Sequence, residues 1–490
     1  MENITEGILD FNTLEQTIFT TMCQTACQLI GMYLQEWDQI IMARRDVKEY
    51  RLVDTRRSTI KTRMGEVSYS RRYYKKKAGG YVYLLDEAMG MAGGCGLVSE
   101  ALAEEIVIEC TEKPFRRAAA SINRLTGQAV SPMGVWRVFQ QYGERLEGQE
   151  RRLRELDLCG ATGQLGNVES PVLFQEMDDV WLSMQKETRD KAGMPSATGG
   201  GKAGKKPLHV AIAYTGWREG KDGRYATQDK IAYASFGGTK EFAADFEMLL
   251  RHRYDMDGVQ RRVANGDGAG WISAAAADVD AAFQLDPFHR SRAVLRAVSD
   301  KEGREAIFKA IKEKDVGRVL HVIYDMISKA GDAATSEKIG KLFGYFHSNK
   351  DNLLTWQERG LGLPAPPDGI VYRSLGVQEA SNGDLIALRM KHKKGSWSPQ
   401  GANRMAKALC FRHTIGLEPM MLAMPEPELT GMELAPEPLS VAKAPQRDGQ
   451  GYDGTWLRAS LPLAGAFVTN GRAAIRKLLS QRPVSDLNYM

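Results

Sequence analysis

The sequence has little of what disulfide-rich, zinc-binding and membrane-spanning proteins depend on. Its 490 residues include only six cysteines and seven histidines, and no two cysteines stand in a CxxC pair. These counts argue against a disulfide scaffold and a zinc ribbon. No apolar run reaches the ~18 residues of a transmembrane helix, and residues 1–10 carry acids but no base, unlike a signal peptide. We therefore expect a soluble protein of a reducing, cytoplasmic compartment.

Charge of either sign is nearly balanced over the whole chain but not along it. The formal net charge is only +5, which argues against a histone-like polycation, whereas residues 44–77 hold thirteen Lys/Arg against four acids. Alternation in this segment predicts two short strands, 58–63 and 67–71, joined by a glycine-containing turn. A basic β-ribbon suits contact with DNA phosphates, and a solvated strand face is the alternative. The candidate DNA contacts here are Arg56, Arg57, Lys61, Arg63, Arg71 and Arg72.

Two further helical patterns lie in the first third of the chain. An apolar stripe predicts a long helix over 11–45, either a core helix or a dimerising one. A pair of helices, 114–125 and 131–142, is separated by Gly127, which is the spacing of a helix-turn-helix. Arg116, Arg117 and Arg137 lie on this pair as further candidate DNA contacts, and a plain packing hairpin is the alternative.

The middle of the chain reads as an α/β core followed by helices. Strand-like runs at 172–177, 180–184, 209–214, 231–235 and 259–264 alternate with a helix over 241–253 and a basic, glycine-rich loop over 186–206. Residues 291–360 have helical spacing throughout, and a strand-like run at 370–372 and a helical stretch after Gln378 follow. Residues 418–453 hold six prolines and predict a flexible linker or tail.

Three acidic positions are candidates for chemistry. Asp178 interrupts an apolar strand, Asp267 follows a strand in a glycine-rich loop, and Glu379 begins a helical stretch. An acid in an apolar strand is costly unless it is paired or bound to metal. Each acid alone has a structural explanation, but three carboxylates on one α/β sheet would suit Mg²⁺ or Mn²⁺ better than zinc.

Ordered motifs over residues 10–410 resemble the bacterial insertion-sequence transposases of the ISLre type. The motifs are TIKTRMGEV (59–67), RRYY (71–74), YLLDE (83–87), FRRAA (115–119), MDDVW (177–181), NGDGAGWI (265–272), LDPFH (285–289) and GSWS (395–398). The resemblance implies a DDE transposase related to the Mutator group, with an RNase H-like catalytic domain interrupted by a helical insertion. The helical block at 291–360 lies between the second Asp and the Glu, where that group has its insertion.

Composition and the resemblance together predict a division of the chain, with the tail taken from composition alone. It comprises an N-terminal DNA-binding region (1–165), the two parts of the catalytic domain (166–295 and 369–416), the helical insertion (296–368) and a Pro/Glu-rich linker and tail (417–490).

The roles implied for single residues follow from the same resemblance. Asp178, Asp267 and Glu379 would be the catalytic triad that binds two Mg²⁺ or Mn²⁺ ions, with Asp179 and Glu358 as alternatives for the first and third acid. The accessory and further catalytic residues would be Asp286, His289 and Arg389.

The implied partners are double-stranded DNA, namely the terminal inverted repeats and the target, and further copies of the chain. The expected reaction is cleavage at the transposon end followed by strand transfer, with two-metal phosphodiester chemistry. The alternatives are a catalytically silent DNA-binding protein derived from a transposase, and an RNase H-like nuclease or resolvase that cuts without joining.

Overall fold

The computed structural model describes residues 10–90, 98–127, 129–158, 166–185, 188–189, 195–196, 202–392 and 395–415. The predicted tail at 417–490 and most of the predicted loop at 186–206 lie outside these residues. By contacts the described chain divides into two compact units: 10–106 with 119–131, and 107–118 with 132–415. The predicted boundary at 165 stays a prediction.

The secondary structure of the described residues combines helices and strands. The α-helices are α1 (Phe11–Arg44), α2 (Leu84–Ala88), α3 (Glu100–Glu112), α4 (Phe115–Thr126), α5 (Pro132–Leu158), α6 (Thr239–Arg253), α7 (Gly270–Asp278), α8 (Pro287–Ala297), α9 (Lys301–Lys312), α10 (Val316–Ser328), α11 (Ala333–Ser348), α12 (Val377–Asn382), α13 (Leu388–Met390) and α14 (Pro399–Ile415). The strands are β1 (Tyr50–Thr62), β2 (Gly65–Lys76), β3 (Tyr81–Val82), β4 (Val172–Gln185), β5 (Thr188–Arg189), β6 (Pro195–Ser196), β7 (Lys202–Tyr214), β8 (Gly216–Glu219), β9 (Tyr225–Gln228), β10 (Ile231–Ser235), β11 (Arg261–Gly266) and β12 (Ala282–Leu285).

The first unit is built on the predicted long helix and basic ribbon. α1 starts after Asp10, whose carboxylate accepts the Thr13 N–H at 3.1 Å, and packs Leu34 and Ile41 against Val67 of β2. The strands predicted at 58–63 and 67–71 are confirmed, but both extend further as the antiparallel pair β1–β2. The outer half of β1 is exposed on both faces, so no apolar alternation marks it in the sequence.

The helix pair predicted around Gly127 forms. Gly127 has φ +65°, as the predicted left-handed turn requires. The Asn123 side chain brackets this turn, because its Oδ1 accepts the Val130 N–H at 2.8 Å and its Nδ2 donates to the Val130 carbonyl at 3.1 Å. The second helix, α5, continues to Leu158, well beyond the predicted end at 142.

The second unit contains a five-stranded mixed sheet in the order β10-β7-β4-β11-β12. β7 is antiparallel to β4 and β10 is antiparallel to β7, whereas β11 is parallel to β4 and β12 is parallel to β11. The core on one side of this sheet is formed largely by aromatic and aliphatic side chains from the strands and from α6 and α7, including Phe242, Phe246 and Ile272. The expected mixed α/β class is confirmed.

Several predicted boundaries inside this sheet need correction. The two runs 172–177 and 180–184 form one strand, β4, since Asp178 and Asp179 keep their pairing with Val210 and His209 of β7. The strand at 231–235 and the helix ending at Arg253 are confirmed, whereas β8, β9 and β12 are additional. The run at 370–372 forms only an isolated pairing of Val371 with Trp217.

The all-helical block predicted at 291–360 is confirmed as far as Ser348, and a 3-10 turn at Lys350–Asn352 and further turns follow up to residue 360. Its helices α9, α10 and α11 each begin at an aspartate, Asp300, Asp315 and Asp332, whose carboxylate accepts an N–H of the first turn at 2.6–2.8 Å. They pack around buried aliphatic and aromatic side chains such as Ile307, Val319 and Phe346. Across the described residues, no helix is both long and apolar enough to cross a bilayer.

Candidate active site

Asp178 lies in the middle strand of the sheet and is 9% exposed. Its Oδ2 accepts a hydrogen bond from Nδ2 of Asn382 at 2.7 Å, and Nε2 of His289 lies 4.0 Å from the same oxygen. A carboxylate this buried needs such partners, because transfer out of water destabilises the charged form.

Asp267 directly follows β11, whose last residue, Gly266, pairs with Met177 of β4. The first two candidate acids therefore come from adjacent parallel strands. The Asp267 Oδ1 accepts the Ala269 N–H at 2.9 Å, and its main-chain carbonyl accepts the Tyr345 hydroxyl at 2.6 Å. Gly268 has φ +84°, and a Cβ there would lie 2.9 Å from Leu285 Cδ1, so this loop requires glycine.

His289 is presented by α8, which begins where the neighbouring strand β12 ends. Asp286 is the N-cap of α8: its Oδ1 accepts the Phe288 N–H at 2.7 Å and its Oδ2 accepts Nδ2 of Asn265 at 2.8 Å. Asp286 is 3% exposed, and both of its oxygens are engaged by the protein. Of the expected accessory pair, His289 therefore faces the carboxylates while Asp286 fixes the helix that carries it.

The structure brings Asp178, His289 and Glu379 together. One potential ligand atom from each lies within 4.8 Å of the other two, and Glu379 is exposed on the first turn of α12. Burial raises the pKa of Asp178 to about 6, and the negative charges of Asp267 and Glu379 add to this rise while His289 opposes it. The site therefore concentrates negative charge that a divalent cation would neutralise.

Both alternative acids are engaged elsewhere. Asp179 points to the other face of β4, where its Oδ1 lies 2.6 Å from Nδ1 of His209. Glu358 forms an ion pair with Arg290 at 3.1 Å and accepts the Thr355 N–H at 2.7 Å. The geometry thus favours Asp178 and Glu379 over Asp179 and Glu358.

Glu176 is a buried carboxylate that the sequence pattern does not single out. It lies two residues before Asp178 on β4 and is 0% exposed. The Tyr214 hydroxyl donates to Oε1 at 2.5 Å, and Nδ2 of Asn265 donates to Oε2 at 2.8 Å. The same two oxygens also accept hydrogen bonds from the segment that carries Glu379.

The main chain at the start of α12 donates to Glu176. The Gly376 N–H reaches Oε2 and the Val377 N–H reaches Oε1, both at 3.0 Å. Glu176 therefore caps the short helix that carries Glu379 and attaches it to the strand that carries Asp178. The signal for this role is the spacing of two acids two residues apart on one strand, which directs both to the same face.

Arg389 has partners outside the acidic cluster. Its Nε donates to the Cys110 carbonyl at 2.7 Å, and its guanidinium lies 5.1 Å from the centroid of the Trp397 ring. Burial lowers the pKa of Arg389 to about 10. The described contacts give this residue a packing role in the helical part of the second unit.

The basic residues expected to contact DNA fall into two groups. Arg63, Arg71 and Arg72 form ion pairs with Glu105, Asp86 and Asp38, and Lys61 donates to the Ala129 carbonyl. The exposed group consists of Arg56, Arg57, Arg116, Arg117 and Arg137. Arg56 stacks on the Tyr73 ring at 4.3 Å while half of its side chain stays accessible.

Comparison with known proteins identifies the family of this mixed α/β protein. Residues 4–419 match the model of the Uncharacterised protein family (UPF0236). The match covers most of the chain, so the chain belongs to UPF0236.

The relatives include proteins from two organisms. Two UPF0236 proteins of Caldanaerobacter subterraneus subsp. tengcongensis are each 24% identical over 388 residues, which is 78% of this chain and 73% or 70% of theirs. A UPF0236 protein in the vanSb 3′ region of Streptococcus gallolyticus is 21% identical over 403 residues, or 80% of both chains.

Proposed function

We propose that the protein is a DDE transposase that binds transposon ends and catalyses metal-dependent cleavage and transfer of DNA strands. The observation that carries the proposal is the convergence of Asp178, Glu379 and His289 within 4.8 Å. Asp267 is not part of this group of three, but it is near enough for its charge to act on Asp178. These residues come from four separate segments of the chain. The tertiary fold brings them together, and no shared local motif does.

The arrangement of the sheet supports an RNase H-like catalytic domain. In chain order its strands are β4, β7, β10, β11 and β12. Only β7 runs antiparallel to β4, and β10, β11 and β12 run in the direction of β4. RNase H-like sheets have this order and these directions. The helices α9 to α11 fall between Asp267 and Glu379, where the resemblance implies an insertion.

The donor set suits Mg²⁺ or Mn²⁺. Asp178, Asp267 and Glu379 offer hard carboxylate oxygens. Burial is the main cause of the raised pKa of Asp178, and the negative charges of Asp267 and Glu379 add to it. These three acids would hold the cations, and the family resemblance implies two of them. When bound, the cations supply positive charge that activates water and stabilises the leaving 3′ oxygen.

The side chains around the acids orient the reacting groups. Asn382 fixes the Asp178 carboxylate, and Glu176 fixes the helix that presents Glu379. His289, on the first turn of α8, would contact the phosphate to be cleaved or donate a proton to it. The freed 3′-OH would then attack target DNA in the same site, without a covalent enzyme intermediate.

The names of the relatives support a mobile gene. The name of one Caldanaerobacter relative joins eleven designations, and the names of two others join four and two. Such names are expected where one protein sequence is encoded at several places in a genome, and multiple copies are a property of insertion sequences.

The exposed arginines support DNA binding by the outer half of the β-ribbon. Arg56 and Arg57 are exposed, and the one acid that pairs with Arg56, Asp54 at 3.4 Å, is exposed as well. Arg71 and Arg72 instead pair with Asp86 and Asp38, which are largely buried. We therefore assign phosphate contacts to the first pair and a structural role to the second.

A nicking and strand-transfer assay tests the proposal. The wild type and Asp267→Asn are incubated with Mn²⁺ and with DNA from the flanks of the gene, with Asp278→Asn, at the exposed end of α7, as the matched control. We expect cleavage and joining by the wild type and the control, and end binding without cleavage by Asp267→Asn.

Other outcomes of this assay reject the proposed site or support one of the alternative functions. Normal cleavage by Asp267→Asn overturns the site. Cleavage without joining of pre-cut ends identifies a nuclease or resolvase, and DNA binding without any metal-dependent cleavage identifies a silent DNA-binding protein.

A further inference from the structure

Three neighbouring strands of the second unit carry the same short pattern, in which an amide or carboxylate residue is followed two positions later by an aspartate. The pattern reads EMD at 176–178 in β4, NGD at 265–267 at the end of β11 and QLD at 284–286 at the end of β12. Asn265 pairs with Glu176 on one side and with Gln284 on the other. These three side chains therefore form one row across the sheet, and the three aspartates follow in the next row.

The first of these rows is buried, although all of its side chains are polar. Glu176 and Gln284 are 0% exposed and Asn265 is 1% exposed. We name these three residues the polar row. Polar groups removed from water in this way destabilise a fold unless their donors and acceptors find partners. The partners of Asn265, the middle residue, therefore indicate what the row does.

The orientation of the Asn265 amide follows from a chain of hydrogen bonds that starts at a main-chain group. The Trp356 N–H, which can only donate, lies 2.9 Å from Oε1 of Gln284. The amide nitrogen of Gln284 therefore faces Asn265, and it donates to Oδ1 at 3.0 Å. This leaves Nδ2 of Asn265, with its two hydrogens, for the groups on its other side.

The two hydrogens on Nδ2 of Asn265 go to two different carboxylates. Nδ2 lies 2.8 Å from Oε2 of Glu176 and 2.8 Å from Oδ2 of Asp286. Glu176 caps α12, the helix that carries Glu379. Asp286 caps α8, the helix that carries His289. One amide therefore joins the caps of the two helices that bring their side chains to the candidate site.

The common alternatives to asparagine at position 265 cannot make both bonds. Aspartate has the same shape but would place a third carboxylate between the two that Asn265 now bridges. Leucine offers no donor, and serine has one hydroxyl hydrogen, so it reaches at most one of the two carboxylates. The two caps therefore explain why this buried strand position holds an amide.

We propose that Asn265 is a positioning residue that fixes α8 and α12 relative to each other, so that His289 and Glu379 stay close enough to share a cation. The consequence for the cation rests on the metal site of the proposed function, whereas the link between the two helices depends on neither metal nor DNA. The proposal predicts that a change at either cap alters the other, and that this communication requires Asn265.

Hydrogen exchange of the full chain, followed by mass spectrometry, measures the link without metal. We expect Asn265→Leu and the milder Asn265→Ala to accelerate exchange by at least ~10-fold in both 286–290 and 375–379, because each cap loses a buried hydrogen bond that orders it. Val263→Ala is the matched control, since it removes buried volume from the same strand but no hydrogen bond. This control should not single out the two segments.

Two further variants test the communication between the caps. Asp286→Asn keeps a residue that caps helices well but turns its amide nitrogen toward Nδ2 of Asn265, so two donors meet. Glu176→Gln weakens the cap of α12. We expect Asp286→Asn to accelerate exchange at 375–379 and Glu176→Gln to accelerate it at 286–290, each by about 3-fold or more. Neither effect should cross to the other helix in an Asn265→Ala background.

The affinity for Mn²⁺, measured by electron paramagnetic resonance at a temperature where all variants are folded, reports the consequence for the site. We expect Asn265→Ala to weaken Mn²⁺ binding by about 10-fold and Val263→Ala to leave it unchanged.

The outcomes that contradict the proposal are distinct. Exchange that rises in only one of the two segments in both Asn265 variants, or caps that do not affect each other, overturns the link. A wild type that binds Mn²⁺ with an affinity that neither Asn265 variant alters overturns the positioning role. A wild type that binds no Mn²⁺ contradicts the metal site of the proposed function instead, and the exchange results then support or overturn the link through Asn265 on their own.

Discussion

Asn382 donates a hydrogen bond from Nδ2 to Oδ2 of Asp178 at 2.7 Å, so the last residue of the helix that carries Glu379 also holds the first carboxylate. The donor favours the ionised form of a carboxylate whose burial opposes it. The two acids are therefore oriented by one short element, although they are about 200 residues apart in the chain.

Replacing Asn382 with leucine removes this donor and keeps most of the volume. We expect Asn382→Leu to lower Mn²⁺ affinity by about 10-fold, because outer partners of metal ligands act at this level. Electron paramagnetic resonance of free Mn²⁺ measures the affinity without DNA. Asn382→Asp also removes the donor but adds a charge, so an affinity that falls in neither variant contradicts this role.

Replacing Glu176 with glutamine tests its role in positioning Glu379. An amide NH₂ would face at least one of the five donors that now converge on this side chain, so α12 should lose part of its cap. We expect a loss of stability of about 1–3 kcal/mol and a fall in Mn²⁺ affinity of about 10-fold or more. The exposed Glu169→Gln is the matched control.

Two measurements separate positioning from stability in that variant. Urea unfolding gives the stability, and Mn²⁺ titration at a temperature where both proteins are fully folded gives the affinity. A less stable variant with the affinity of the wild type would leave Glu176 with a structural role only.

The sequence alone predicts the three candidate acids better than it predicts the residues that position them. Asp178, Asp267 and Glu379 are marked by apolar strands and glycines around single acids, and motif order assigns them together. Glu176 carries no such mark, because a buried acid with satisfied oxygens looks like any strand acid until the distant Gly376 and Val377 N–H groups are known. Its partners are set by tertiary packing, which local patterns do not contain.

The arginines of the β-ribbon show a similar limit, because the sequence does not reveal which of them form ion pairs within the protein. A count of arginines cannot tell Arg57, which is exposed, from Arg72, which is paired with the buried Asp38 on α1. The outer half of β1 escaped prediction for a related reason, since its residues 51–57 are exposed on both faces. A strand that is solvated on both faces shows no apolar periodicity in the sequence.

Arginine-to-glutamine substitutions should separate the two groups of basic residues. Arg72→Gln breaks its 2.5 Å contact with Asp38, so we expect a loss of stability of about 2–4 kcal/mol. Arg57→Gln should leave stability unchanged and reduce the salt dependence of DNA binding by about one unit of slope. Thermal unfolding and binding at several salt concentrations measure the two effects, and an unaltered salt slope in Arg57→Gln argues against its phosphate contact.

Acid should weaken the pair that Glu358 forms with the buried Arg290. Burial alone would raise the pKa of Glu358, but the Arg290 guanidinium and the Thr355 N–H outweigh it and keep the pKa below its ordinary value. A lowered folded-state pKa means that the stabilisation is present above the unfolded pKa of about 4.3 and is lost as pH falls through the folded value. Glu358→Gln should therefore be less stable than the wild type by about 1–3 kcal/mol at pH 7, with the difference shrinking below about pH 4. Urea unfolding of both proteins from pH 3 to pH 7 measures it, and a difference that stays constant over this range would mean that the carboxylate charge does not contribute.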